Sequence, residues 1–282
     1  MVLPVTVDAQ PAIIAPVHRR RRLPSLLSSR ASGWILVGLL LLLWELSVRL
    51  GWVQSETWPA FSAVLVAGAH GLASGELPQL VLSSLGRMAK GYALGCAAGV
   101  SLALVLRSSR LLLRIFNPMI EALRPIPTPA IIPPLILFLG VADALKIFVV
   151  MLATFFPVFV NTLGGMNSIN QVILDTARTF RIGRVRTALS IILPAALPAV
   201  LAGMRVSLSL ALVVVVLAEM ISGSDGIGYY LVMTQYALRP EEMYAGVFLL
   251  AFSGYVLNLA FQLVEHRLLF WHGAAQAASR ET

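Results

Sequence analysis

The chain has 282 residues, 58% of them hydrophobic and only 12% charged, with a formal net charge of +8 and a mean hydropathy of +0.85. A soluble domain carries about 25% charged residues, so this composition excludes an ordinary soluble protein and points to one embedded in a membrane. One cysteine, Cys96, and four histidines without ligand spacing exclude a disulfide framework and a cysteine or histidine metal site.

A helix needs roughly 20 apolar residues to cross a bilayer. Six runs meet this length, at about 33–50, 85–106, 112–139, 145–166, 190–218 and 244–265. They are continuous rather than alternating, which favours helices over a barrel. The expected fold class is therefore an all-α integral membrane protein with six transmembrane helices. Residues 1–32 are polar and contain "HRRRRLP", like the n-region of a signal peptide. The following "WILVGLLLLLW" is long, unbroken and without a small-residue cleavage site, so it reads as a retained anchor behind a poorly ordered basic tail. Glu45 and Arg49 are one helical turn apart in this span, a spacing that predicts an ion pair.

The second span carries Gly91, Gly95 and Gly99, with Arg87 and Lys90 nearer its start. Such a small-residue row predicts close helix packing in lipid. The third, "NPMIEALRPIPTPAIIPPLILFLG", holds Pro118, Pro125, Pro127, Pro129, Pro133 and Pro134. Interior prolines remove backbone donors and crowd earlier carbonyls, so this span is expected to be broken or kinked. Irregular backbone at membrane depth is tolerated when buried in protein or lining a water-filled cavity, which makes the Pro125–Pro134 stretch a pathway candidate. Glu121 and Arg124, three residues apart, are either pathway charges or an ion pair holding the kink.

Between the fourth and fifth spans lies a basic segment, about 168–190, with Arg178, Arg181, Arg184 and Arg186. The fifth span contains Arg205, whose expected partner is an anionic solute, Glu121 or Glu219. After it, "AEMISGSDGIGYY" places Gly223, Gly226 and Gly228 in a polar stretch, expected to form a tight or re-entrant outer loop near a gate. Basic residues choose the orientation. Arg19, Arg20, Arg21, Arg22, Arg30, Arg107, Arg110, Arg114, the four arginines above, Arg267 and Arg280 share one face, while segments 51–79, 140–146 and 219–243 hold Lys146 and Arg239 only. The positive-inside bias puts the basic segment, the 1–32 tail and the 266–282 tail in the cytoplasm. The charge of +8 is this bias and not a nucleic-acid footprint. No phosphate-binding loop, nucleophile elbow or paired-carboxylate constellation occurs in the sequence, so no enzyme activity and no cofactor are expected in this chain.

"DTARTFRIGRVRTALSIILPAALPAVLAGMR" resembles the cytoplasmic loop of permease subunits of binding-protein-dependent ABC importers. That pattern is Glu-Ala-Ala, three residues, Gly, nine residues, then Ile-x-Leu-Pro. Asp175, Thr176 and Ala177 occupy its first three places, and Ile191, Leu193 and Pro194 close it. Arg181 stands at the glycine's place, with Gly183 two residues late. The resemblance covers about residues 33–273. Through "SSLGRMAKGYALGCAAGV", "NPMIEALRPIPTPAIIPPLILFLGVADALKIFVV", "LAEMISGSDGIGYY" and "RLLFWHG" it is similar to the subgroup importing aliphatic sulfonates, taurine and nitrate. Leu212 stands where those relatives usually carry tryptophan.

The resemblance implies a type I ABC importer architecture in a bacterial inner membrane, with residues 33–265 as the permease domain. It also implies a second copy of this chain, two cytoplasmic ATPase subunits that hold ATP and Mg, and an extracytoplasmic solute-binding protein. The ATPase-coupling residues it implies are Asp175, Ala177, Arg178, Phe180, Arg181, Ile182, Gly183 and Arg184, with Phe180 and Ile182 as apolar anchors. Glu121, Arg124, Pro125, Pro127, Arg205 and Glu219 are the pathway candidates. The alternatives are an ion-coupled secondary transporter, a class that usually shows paired internal repeats, and an importer of a neutral heterocycle.

Overall fold

A computed structural model describes residues 30–53 and 55–270, all helix, turn or loop and without a strand among them. Two compact units separate at Trp52. Among the described residues the first holds α1 (Arg30–Arg49), whose 20 residues extend about 30 Å at 1.5 Å per residue. Its Trp34, Ile35 and Leu40 are exposed, and Arg49 Nε donates to Glu45 Oε1 at 2.6 Å, the pair its spacing predicts.

The second unit holds α2 (Phe61–Ala73), α3 (Glu76–Arg107), α4 (Arg110–Leu123), α5 (Thr128–Leu139), α6 (Asp143–Asn167), α7 (Gln171–Thr179), α8 (Arg184–Thr187), α9 (Leu193–Ser222), α10 (Ile227–Tyr236) and α11 (Pro240–Leu268). Among the described residues, α3, α6, the continuous run Arg184–Ser222 and α11 are long and apolar enough to cross a membrane. The helices α2 and α10 fall inside segments that the hydropathy reading left as loops. A π-helical turn at Ala188–Ile192 joins α8 to α9 immediately before Pro194. Proline lacks an N–H and crowds the carbonyl four residues earlier, and one widened turn absorbs that mismatch without ending the helix.

The core is the packing of α6 between α3 and α9, and glycines set its register. A Cβ on Gly91 would meet Ile147 O at 2.6 Å, on Gly95 Met151 O at 2.6 Å, and on Gly99 Phe155 O at 3.0 Å. The contacts advance together along both chains, so α3 and α6 run parallel. On the other side of α6, Gly165 abuts Ala199 while Gly203 abuts Pro157 and Asn161, an antiparallel register. Lipid offers no hydrophobic drive between helices, so close backbone approach through small residues supplies the dispersion contact. Met88, Leu145, Val149, Leu208, Ala211 and Val215 fill one end of the interface; Ala103, Leu106, Phe159 and Met166 fill the other.

Parallel α3 and α6 require the chain to return between them, and α4 with α5 makes that return. The third predicted span is indeed broken: the two helices meet at 96°, around Pro125-Ile126-Pro127. Arg124 keeps helical dihedrals as the C-cap of α4, and the break follows it, where Ile126 precedes a second proline and residues before proline avoid the helical region. Neither piece is long enough alone, since the 12 residues of α5 reach about 18 Å against a hydrocarbon core of roughly 30 Å. Ile132 is fully buried against the α6–α9 core, whereas Leu137 and Phe138 are more than 80% exposed.

Candidate functional site

At the arginine-rich end, Asn170 caps α7 by accepting from the Val172 N–H at 2.9 Å. One face of α7 is anchored, with Leu174 and Ala177 buried. The other carries Asp175, which accepts from Arg178 at 2.8 Å and from Gln171 at 3.2 Å. The helix stops in a Schellman motif: Ile182 N donates to Ala177 O at 3.0 Å and Arg181 N to Arg178 O at 2.9 Å. Its closing residue must be left-handed, and Arg181 has φ +53°. The glycine's place in the loop pattern is therefore a backbone requirement that an arginine meets here under strain. Gly183, two residues later, has φ −58° and does not take that left-handed place.

Phe180 projects from this cap with 75% of its surface exposed, alongside exposed Val172 and Val185. Ile182, expected as a second outward anchor, is half-buried instead, because the Schellman geometry turns the residue after the cap back towards the helix. Arg184 opens α8 and is exposed. Arg181→Gly is expected to relieve the left-handed strain, worth about 1 kcal/mol, and to raise the melting midpoint of the solubilised protein by about 2 °C. Arg181→Val is expected to lower it. A melting curve in which glycine destabilises as much as valine excludes a strained cap.

The pathway candidates scatter. Glu121 and Arg124 do not pair: Glu121 accepts from Asn117 Nδ2 at 2.6 Å, one turn earlier on α4, and the 96° bend begins at Arg124. Both are exposed, as are Pro125 and Pro127. Arg205 meets neither Glu121 nor Glu219; its ion pair, at 3.6 Å, is with Glu265 of α11. Leu212, at the place of the relatives' tryptophan, packs against Gly254 of α11.

Glu219 lies elsewhere, at the end remote from α7, in a cluster missed by hydropathy. It is fully buried and accepts from Arg87 Nη1 at 2.9 Å, Ser84 Oγ at 2.8 Å and the Gly228 N–H at 3.0 Å. Arg87 also donates to Asp143 at 2.7 Å and to Asp225. Lys146, fully buried rather than in an outer loop, donates to Asp225 at 3.0 Å and Ser224 at 3.1 Å. The cluster ties α3, α6 and α9 to the turn before α10. The available signal was a charge within or at the end of each of three apolar runs, but only contact reveals the partnership.

The turn is tight, as its glycines predict. Gly223 and Gly226 have φ of +26° and +97°, and a side chain on Gly226 would strike the Glu219 carboxylate. Gly228 differs from the expectation: it lies in the first turn of α10, and its missing side chain lets α10 press against the Val216 carbonyl.

Comparison with known proteins points to a transport component. Residues 91–269 match the family described as "Binding-protein-dependent transport system inner membrane component". The chain belongs to this family. A putative aliphatic sulfonates transport permease protein of Escherichia coli is 32% identical over 245 residues, covering 87% of this chain and 93% of that protein. A Bacillus subtilis protein of the same description is 28% identical over 242 residues, with 86% and 88% covered. The taurine transport system permease protein of Escherichia coli is 29% identical over 211 residues, with 75% and 77% covered. The chain is thus an ABC-importer permease, a multi-pass membrane protein similar in sequence to sulfonate and taurine permeases. The family match includes α7 and the Schellman cap, and begins four residues after Arg87.

Proposed function

We propose that two copies of this permease form the translocation pathway of an importer, driven by two cytoplasmic ATPase subunits that hold ATP and Mg and supplied by an extracytoplasmic binding protein. The observation that carries this reading is α7, fixed to the membrane helices by Leu174 and Ala177 while Phe180 is left uncovered at its tip. A permease that does no chemistry needs such a contact, through which a partner's movement reaches the helices. In this reading α1, long enough to cross the bilayer, is the first of six spans. Both termini and the 168–190 segment face the cytoplasm on the arginine bias, and the Glu219 cluster lies at the outer end. The exposed Leu137 and Phe138 on α5 suit coverage by the second copy, with the Pro125–Pro127 break facing the pathway.

The solute is a small sulfonate, taurine, nitrate or a similar molecule: sulfonates and taurine by analogy with the relatives named for them, nitrate by the resemblance to the wider subgroup. A second reading, an uncharged heterocycle, draws support from the ion pairs: Arg87, Lys146 and Arg205 each face a carboxylate, which leaves these cations neutralised. Calorimetry of the cognate binding protein decides between the two. Tight binding of sulfonates, taurine or nitrate is expected, and tight binding of a neutral heterocycle alone replaces the anion reading. In proteoliposomes, uptake is expected to require ATP, the ATPase and the binding protein together. Uptake driven by an ion gradient without the ATPase reverses the assignment in favour of a secondary carrier.

A further inference from the structure

We propose that a cavity beside α7 holds the phosphate group of an anionic membrane lipid. The cavity, of about 510 Å³, lies between the last turn of α3, the inner face of α7 and the α8–α9 junction. Arg107, Arg178 and Arg184 line it, and no acidic side chain does. Arg178 is partly compensated by Asp175 at 2.8 Å. Among the described residues Arg107 and Arg184 have no ion pair, and Arg107 Nε is buried without a hydrogen-bond partner. A buried guanidinium donor left unmatched is costly, and a phosphate oxygen matches its charge and fork geometry.

The rest of the lining selects a lipid as the source of that phosphate. Leu104, Leu174 and Ile192 form an apolar floor beside the arginines, and the neighbours Val105 and Leu189 are each 54% exposed. A soluble anion makes no use of an apolar floor, whereas a lipid offers acyl chains next to its phosphate. The cavity also lies at the ends of two long apolar helices, the level of the headgroup layer, where basic pockets between helices recruit anionic lipids. This inference rests on the family's membrane placement and not on ATPase coupling, so its failure leaves the coupling reading untouched.

The test uses the full chain, purified without the ATPase and washed in phosphatidylcholine. Native mass spectrometry then counts retained phosphatidylglycerol or cardiolipin in the wild type, Arg107→Gln, Arg184→Gln and Arg107→Lys. Each glutamine variant is expected to lower retention about fivefold, with lysine intermediate. Arg184→Gln carries the test if Arg107→Gln does not fold. In a parallel arm inorganic phosphate replaces the lipid: protection of the protein from heating by phosphate, without lipid retention, overturns the lipid as the source. Retention at the wild-type level in both glutamine variants overturns the proposal. So does wild-type retention together with loss of ATPase co-purification in a separate preparation made with the ATPase, which assigns the arginines to a protein partner.

Discussion

Phe180→Asp is expected to abolish co-purification of the ATPase subunit and ATP-driven uptake while leaving the permease in the membrane at normal abundance. The side chain is 75% exposed and makes no core contact that its loss would open, so folding has little to lose. A partner's groove, by contrast, would desolvate it. Truncating a central aromatic anchor costs an interface about 2–4 kcal/mol, and a carboxylate in its place adds an unpaired charge where water is excluded. A loss of about 3 kcal/mol weakens binding roughly 100-fold, enough to empty the complex during purification. Phe180→Leu retains an apolar tip and is expected to retain most of the association. Undiminished co-purification and transport by Phe180→Asp removes α7 as the coupling contact, whereas loss of membrane abundance shows that Phe180 supports folding instead.

The second large effect is expected at the buried cluster. Arg87→Leu leaves Glu219, which has no exposed surface, without its charge partner. Breaking a buried pair from one side costs about 3–5 kcal/mol because the remaining charge is stranded, so the melting midpoint should fall by roughly 10 °C. Arg87→Leu combined with Glu219→Leu removes both charges and is expected to recover at least half of that loss. An equal or larger loss in the double variant excludes charge stranding as the cause. The cluster also has a pH signature. Partial burial pushes the Asp225 carboxyl up, but hydrogen bonds and charges from Arg87 and Lys146 outweigh burial and hold it at about 2, against an ordinary 3.8. A carboxyl depressed on folding contributes stability that is complete above pH ~4 and is lost as pH falls through 3.8 towards 2. Asp225→Asn is therefore expected to flatten that part of the pH–stability curve.

Much of the candidate site was legible as pattern but not as geometry. The loop pattern placed α7 and flagged Arg181 as the residue where glycine belongs. It could not show that Arg181 adopts the left-handed cap itself, nor that the cap turns Ile182 inward and leaves Phe180 out. Glu121 and Arg124 had the spacing of an intrahelical pair, but a competing amide at Asn117 and the bend at Arg124 separate them. The helices α2 and α10 escaped a reading tuned to membrane-length runs because they have only 13 and 10 residues.

Composition and the long apolar runs determined the membrane class. Proline spacing determined that the third span breaks, and the glycine row that α3 packs closely, because each is a local property of one helix. Tertiary structure alone decided which charges meet: Arg87 finds Asp143 56 residues away and Glu219 132 residues away, and Arg205 finds Glu265. A charge in an apolar run announces that it needs a partner, since an unpaired one is costly in a low-dielectric interior. Which partner it finds depends on helix register and crossing, and these are set by glycine contacts between α3, α6 and α9 that no single run of residues encodes.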